Sequence, residues 1–144
     1  MTEENNRVMI RVPGNLGKAI DTLVGNTHLS RPDVVLDACR QFHVALVARE
    51  HSLIESIKDK DVSFDAKDKY YREEMWKFTE PFRQFYNKQV KESNGEILSI
   101  LVTMPLGESI RIEGVVSRNP DIKTHQDFYK LALGFYMLNY FRIG

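Results

Sequence analysis

The 144-residue sequence lacks several features that would point to a particular compartment. Its single cysteine, Cys39, excludes an internal disulfide and fits a reducing environment. The longest apolar run, residues 128–141, is interrupted by Lys130 and Asn139 and is too short to cross a bilayer. The polar, acidic segment 2–6 is typical of neither a signal peptide nor a transit peptide. We therefore expect a cytoplasmic protein that does not interact with membranes.

The sequence also lacks an excess of either charge. It has 20 Lys and Arg residues against 20 Asp and Glu residues. The two signs also balance separately within residues 1–50, 51–95 and 96–144. A protein that holds nucleic acid through a broad basic surface usually shows a basic excess. Any contact with nucleic acid must therefore come from a few side chains at specific positions.

Signatures of catalysis and of metal binding are missing as well. No glycine-rich phosphate loop, nucleophile–base pair or carboxylate dyad occurs at a usable spacing, so we expect no enzymatic activity. Cys39 and His43 lie one helical turn apart, but a lone pair of this kind is usually incidental, and we expect no metal or other cofactor.

An alternating pattern predicts that residues 7–13 form a β-strand with one buried face. The apolar side of this strand comprises Val8, Ile10 and Val12. The opposite side comprises Arg7, Met9 and Arg11. Helical spacing follows over residues 14–24, and Ser30 with Asp33 forms a capping box that opens a second helix. Because the strand has no partner for its backbone groups within this unit, the chain must supply a second strand.

A helical block separates this unit from the rest of the chain. The second helix is expected to continue through Ile57, and the charged stretch 59–65 predicts a linker. Residues 66–92 are helical in composition, with an aromatic stripe that favours a packed core or a dimer face over base stacking. Pro81 predicts a break near Phe78 or Thr79.

The third block repeats the pattern of the first. Residues 99–105 alternate and end in proline, as residues 7–13 do. The outward positions of this second strand are Ser99, Leu101 and Thr103. After another helical stretch, residues 124–127 match the capping box at residues 30–33, and a last helix follows. The agreement in hydrophobic pattern and in the positions of the proline and the capping box indicates a diverged internal repeat.

A strand ending in proline, then a helix, a short turn, a Ser or Thr cap and a second helix resemble the ribbon-helix-helix family of DNA-binding proteins, the group of the MetJ, Arc and CopG repressors. The resemblance is good over residues 7–46, moderate over 98–138 and absent over 51–95. In that family two strands pair into an antiparallel ribbon that enters the major groove. The resemblance implies that the outward side chains read base edges and that the start of each second helix lies against a phosphate.

The site residues that this resemblance implies fall into two sets. In the first unit they are Arg7, Met9, Arg11, Ser30 and Arg31. In the second unit they are Ser99, Leu101, Thr103, Thr124 and His125. Asp33 and Asp127 depart from the pattern, since each places a negative charge where a phosphate would bind. If both strands face DNA, we expect arginines on one half-site and hydroxyl groups with Leu101 on the other; alternatively, the second unit only completes the fold.

The sequence thus predicts a mainly α fold with two ribbon-helix-helix units, whose short strands pair into an antiparallel two-stranded ribbon, and a helical insert between them. The expected organisation is an N-terminal unit over 1–58, a linker and insert over 59–95, and a C-terminal unit over 96–144. The expected partner is double-stranded DNA, bound by a transcriptional regulator, and the insert either packs over the units or makes a homo-oligomer contact. The alternative is a ribbon-helix-helix interaction module, or an antitoxin-like protein, that dimerises or binds another protein.

Overall fold

The computed structural model describes residues 5–141 of the chain, and it is mainly helical with one two-stranded antiparallel sheet. The acidic segment 2–6, on which the absence of a targeting sequence was predicted, lies largely outside the described residues. In chain order the elements are β1 (Asn5–Pro13), α1 (Gly14–Asn26), α2 (Arg31–Ile57), α3 (Phe64–Glu92), β2 (Ile97–Pro105), α4 (Leu106–Arg118) and α5 (His125–Phe141). A strand followed by two helices therefore occurs on each side of α3.

The predicted pairing of the two strands within one chain is confirmed. β1 and β2 run antiparallel, with Met9 opposite Leu101 at the centre of the ribbon. These two residues are also equivalent positions in the internal repeat of the sequence. The register is therefore the one that an approximate two-fold axis through the centre of the ribbon would produce.

The inner face of the ribbon closes the core. The side chains that this face buries are Ile10, Val12, Ile100, Val102 and Met104. They belong to one apolar cluster with the inward faces of the helices that follow each strand. Each such side chain contributes on the order of 1.5–3 kcal/mol when it is fully buried, so the alternating pattern itself fixes which face of the ribbon turns outward.

α3 crosses both halves of the molecule as one continuous helix, so the predicted break near Phe78 or Thr79 is wrong. Pro81 is exposed on the outer side of this helix. On the inner side Phe82 packs edge-on against Phe42 of α2 and Phe135 of α5, with ring centroids 6.1 and 5.1 Å apart. Packing on both sides of the proline keeps the helix in one piece, although proline interrupts its hydrogen-bond ladder.

The helix boundaries follow the remaining sequence signals closely. α1 ends at Asn26, two residues after the predicted end, and α2 continues to Ile57 as expected. α3 begins at Phe64, inside the stretch predicted to be a linker. Among the helices over residues 5–141, none combines the length and apolar character that crossing a bilayer requires.

Candidate nucleic-acid interface

The outer face of the ribbon gathers the predicted base-reading residues onto one surface. These exposed residues are Arg7, Met9, Arg11, Ser99, Leu101 and Thr103. Met9 and Leu101 leave 44% and 48% of their surfaces exposed, and they lie opposite each other in the ribbon. The ribbon therefore presents an apolar centre flanked by polar ends.

The register distributes the two arginines over both ends of the ribbon. Arg7 lies opposite Thr103 at one end, and Arg11 lies opposite Ser99 at the other. Four residues of extended chain separate the two arginines by about 13 Å along β1. Each end thus carries one arginine and one hydroxyl group. This differs from the expected division into an arginine half and a hydroxyl half, because antiparallel pairing sets the two ends of β1 against opposite ends of β2.

The guanidinium groups of Arg7 and Arg11 have no ion-pair or hydrogen-bond partner among residues 5–141. All their donors are therefore free to bind a planar acceptor pair, such as the guanine edge in the major groove. Their backbone, in contrast, is held firmly. It belongs to the ribbon ladder, and the Tyr86 hydroxyl from α3 donates to the carbonyl oxygen of Arg11 at 3.4 Å.

The start of α2 is a complete capping box, in which side chains already bond backbone N–H groups that a phosphate would need. The Ser30 hydroxyl oxygen accepts from the backbone N–H of Asp33, and the Asp33 carboxylate accepts from the backbone N–H of Ser30 at 3.0 Å. These bonds to Ser30 hold the pKa of the Asp33 carboxyl below its ordinary value. Arg31, a predicted phosphate contact, instead donates twice to Asp21 of α1, at 2.7 and 2.9 Å.

The start of α5 repeats this arrangement in a looser form. Thr124 accepts from the backbone N–H of Asp127, as the capping prediction requires. The Asp127 carboxylate, however, accepts from the backbone N–H of Lys123, so only half of the second capping box forms. His125 contacts Glu113 of α4 at 2.7 Å. In the internal repeat Glu113 matches Asp21 and His125 matches Arg31, so the pairing between consecutive helices occurs in both halves.

The structure therefore brings together the ribbon residues, whereas the residues at the helix starts bond to other partners. No hydrogen bond or ion pair over residues 5–141 links Ser30, Arg31, Thr124 or His125 to the outer face of the ribbon. A negative charge and a paired first-turn residue sit at each helix start, and both oppose an incoming phosphate. The ribbon is the better candidate site, and the helix starts are first of all caps.

Cys39 and His43 do not form a metal centre with further ligands. Within the described residues no group of three or more His, Cys, Asp or Glu side chains is arranged to hold a metal ion. Cys39 is buried, and burial raises the pKa of its thiol to about 12. The thiol is therefore protonated at neutral pH and unreactive in the folded protein.

A buried carboxylate that sequence reasoning missed joins three helices. Glu50 of α2 is only 7% exposed. It accepts from three side chains on α3, on α4 and just after α4: Tyr71 at 3.2 Å, Arg118 at 3.0 Å and Asn119 at 3.2 Å. The sequence feature that indicates this burial is the position of Glu50 one helical turn after Leu46, on the buried face of α2. Because the charge is paired and fully hydrogen-bonded, Glu50 acts as a structural tie.

Comparisons with known proteins do not assign the chain to a family. No protein-family model matches it, and neither a curated protein nor a solved structure is significantly similar to it.

Proposed function

We propose that this chain is a sequence-specific DNA-binding regulator that inserts its β1–β2 ribbon into the major groove. The observation that carries the proposal is the outer face of the ribbon, where Arg7 and Arg11 are exposed, unpaired among residues 5–141 and held on a rigid ladder. A two-stranded ribbon fits the major groove of B-DNA, and arginine makes paired hydrogen bonds to guanine. The apolar pair Met9 and Leu101 between the two arginines adds a surface that can contact thymine methyl groups.

We also infer that the two halves are tandem ribbon-helix-helix units, which the family resemblance of the sequence suggests. Three observations support this: the repeated order of one strand and two helices, the pairing of equivalent positions in the ribbon, and the repeated contacts Asp21–Arg31 and Glu113–His125. In this arrangement one chain supplies the ribbon that two chains would otherwise form. The helical insert, α3, packs over both units, and a homo-oligomer contact through its exposed side remains part of the proposal.

Selection of bound sequences from a random pool of DNA duplexes tests the proposal. We expect enrichment of a short motif with guanines spaced for the two arginines. The double variant Arg7→Ala/Arg11→Ala should lose the motif, since each paired contact to guanine contributes about 1–3 kcal/mol of discrimination.

The salt dependence of binding should be shallow, because Arg31 is paired with Asp21 and few phosphates are neutralised.

The matched control is Lys60→Ala/Lys69→Ala, which removes two exposed positive charges outside the ribbon. Both lysines lie in the segment 54–69, where α2 ends and α3 begins, which we call the hairpin end. This variant should select the same motif as the original protein. Absence of any enrichment at low salt, or loss of the motif in both double variants alike, contradicts recognition by the ribbon.

The second candidate function is a protein-interaction module, in which the helices bind another protein. It is favoured by the balanced charge and by apolar side chains exposed at the hairpin end of α2 and α3. Their exposed fractions are 51% for Ile54, 52% for Val62 and 80% for Phe64. Exposed apolar side chains that form a contiguous patch are typical of a contact surface, and these three lie within eleven residues of the chain.

The variants Phe64→Ser and Val62→Ser distinguish the two functions. They alter the hairpin end and leave the ribbon unchanged, so a DNA regulator should keep its binding motif. The interaction module is the correct function if two results are found together. Arg7→Ala/Arg11→Ala has no effect on any activity of the protein in the cell, and Phe64→Ser and Val62→Ser abolish co-purification of a partner.

A further inference from the structure

A cavity of about 360 Å³ lies between α3 and the start of α5, away from the ribbon face. Its volume falls at the lower end of the range for sites that hold small molecules, roughly 300–1,000 Å³. The residues that define its chemistry are Trp76 and Arg83 of α3, Asp121 and Lys123 of the preceding loop, and Asp127 and Lys130 of α5.

Three cationic residues line this cavity, and they have few partners of their own. Lys123 and Lys130 form no ion pair with any residue over 5–141, and the nearest group recorded for the Lys130 ammonium is the ring of Tyr86, at 6.0 Å from the centroid. The Nη1 atom of Arg83 is buried and has no acceptor among the described residues. Donors that are both charged and unsatisfied are costly, and an anionic oxygen would satisfy them.

The acidic groups of the cavity offset these cations only in part. The Asp127 carboxylate is engaged by the backbone N–H of Lys123 in the cap of α5. Asp121 is exposed at the rim and remains the main counter-charge of Arg83. Burial lowers the pKa of Arg83 from its ordinary value, while the carboxylates of Asp121, Glu80 and Asp127 act in the opposite direction. With three positive and two negative side chains, the lining favours an anion.

Arg83 is also held in place before any ligand arrives. Its guanidinium lies 3.9 Å from the ring centroid of Trp76 and donates to the Thr79 hydroxyl at 2.9 Å. Trp76 itself remains 41% exposed, a large fraction for an indole in a groove. A fixed cation next to an exposed aromatic ring suits a ligand that combines a negative group with a flat apolar part.

We propose that this cavity is a binding site for a small organic anion, a molecule whose phosphate or carboxylate group binds Arg83, Lys123 and Lys130 while its ring packs against Trp76. One lining residue of the cavity contacts the backbone of the proposed DNA-binding ribbon. Tyr86, which also lines the cavity, donates to the carbonyl of Arg11. An influence of the ligand on DNA affinity rests on the proposed function, whereas binding of the anion does not.

The only tryptophan of the chain makes this binding directly measurable. We would titrate the full-length protein with AMP and with benzoate, and follow the fluorescence of Trp76 together with the heat of binding. Adenosine supplies the ring without the charge. We expect saturable binding of AMP or benzoate, and no comparable binding of adenosine.

The variant Lys123→Gln/Lys130→Gln removes two exposed positive charges that form no ion pair among residues 5–141, and it should weaken anion binding about tenfold or more. Lys60→Gln/Lys69→Gln is the matched control and should bind as the original protein does. Saturable binding lost only in the first variant supports the site. Absence of saturable binding of both AMP and benzoate, or equal affinity in the two double variants, overturns it. These outcomes do not depend on whether the ribbon binds DNA.

Discussion

Gly134 lies where α5 crosses α3, and its missing side chain decides how closely the two helices approach. A Cβ atom at this position would overlap the backbone carbonyl of Phe82. The contact involves main-chain atoms, which cannot move aside as a flexible side chain can. No sequence pattern indicates this role, because a single glycine in a helical pattern is compatible with many causes.

We expect Gly134→Ala to destabilise the protein by about 1–3 kcal/mol, since the added methyl group overpacks the crossing of the two helices. Chemical denaturation measures the change. Gly25→Ala is the control: a Cβ there meets no atom within 4 Å, and alanine should be neutral or stabilising by up to about 1 kcal/mol. Equal stability of the two variants would show that the crossing tolerates a side chain.

Arg31 and His125 each form a side-chain pair that the sequence does not predict. Both were expected to contact phosphates from the start of a helix. The structure instead pairs them with Asp21 and Glu113 on the preceding helices. No local pattern reports a pair that spans a turn between two helices, so the sequence alone could not separate these alternatives.

At the scale of elements, the cap of α2 predicts how stability depends on pH. Hydrogen bonds from Ser30 lower the pKa of Asp33 in the folded protein below 3.8, its ordinary value. A carboxyl group whose pKa is depressed by folding stabilises the fold when it is ionised in both states. That contribution is present above about pH 5, and it is lost as the pH falls through the folded pKa.

We therefore expect wild-type protein to be more stable than Asp33→Asn at neutral pH, with the difference shrinking towards zero in strong acid. Urea denaturation of both proteins across the acidic range measures this. Asp59→Asn, in the loop after α2, is the control and should show no comparable pH-dependent difference. If Asp33→Asn loses the same stability at every pH, the charge of Asp33 is not the cause.

α3 shows where local propensity yields to packing. Pro81 by itself favours a break in the helix. The aromatic residues on either side of it pack into the core and favour a continuous helix. The ring of Phe82 contacts helices from both halves of the chain, so breaking α3 would disrupt the core between them. The helical character of the insert was predictable from its period, but its continuity was not.

For the whole molecule, the intramolecular ribbon predicts the behaviour of a fragment. Residues 1–58 contain β1, α1 and α2 but lack β2, the strand that pairs with β1. A fragment with unpaired backbone groups and an uncovered apolar face cannot remain folded as a monomer. We expect this fragment to be unfolded, or to dimerise by pairing two copies of β1 with Met9 at the centre.

Circular dichroism and sedimentation equilibrium on the fragment distinguish these outcomes, with the full chain as reference. Helical content that rises with concentration as the mass doubles indicates the homodimer. A folded, monomeric fragment would falsify the dependence of β1 on β2.

Features that depend on neighbouring residues could be predicted from the amino-acid sequence alone. Alternation fixed which side of each strand is buried, and side-chain hydrogen bonding to the backbone fixed the cap at Ser30. Tertiary structure decided the rest: the division of Arg7 and Arg11 between the two ends of the ribbon, the burial of Glu50 among its partners, and the cavity beside Trp76. These depend on residues far apart in the chain, whose separation only the packed fold can set.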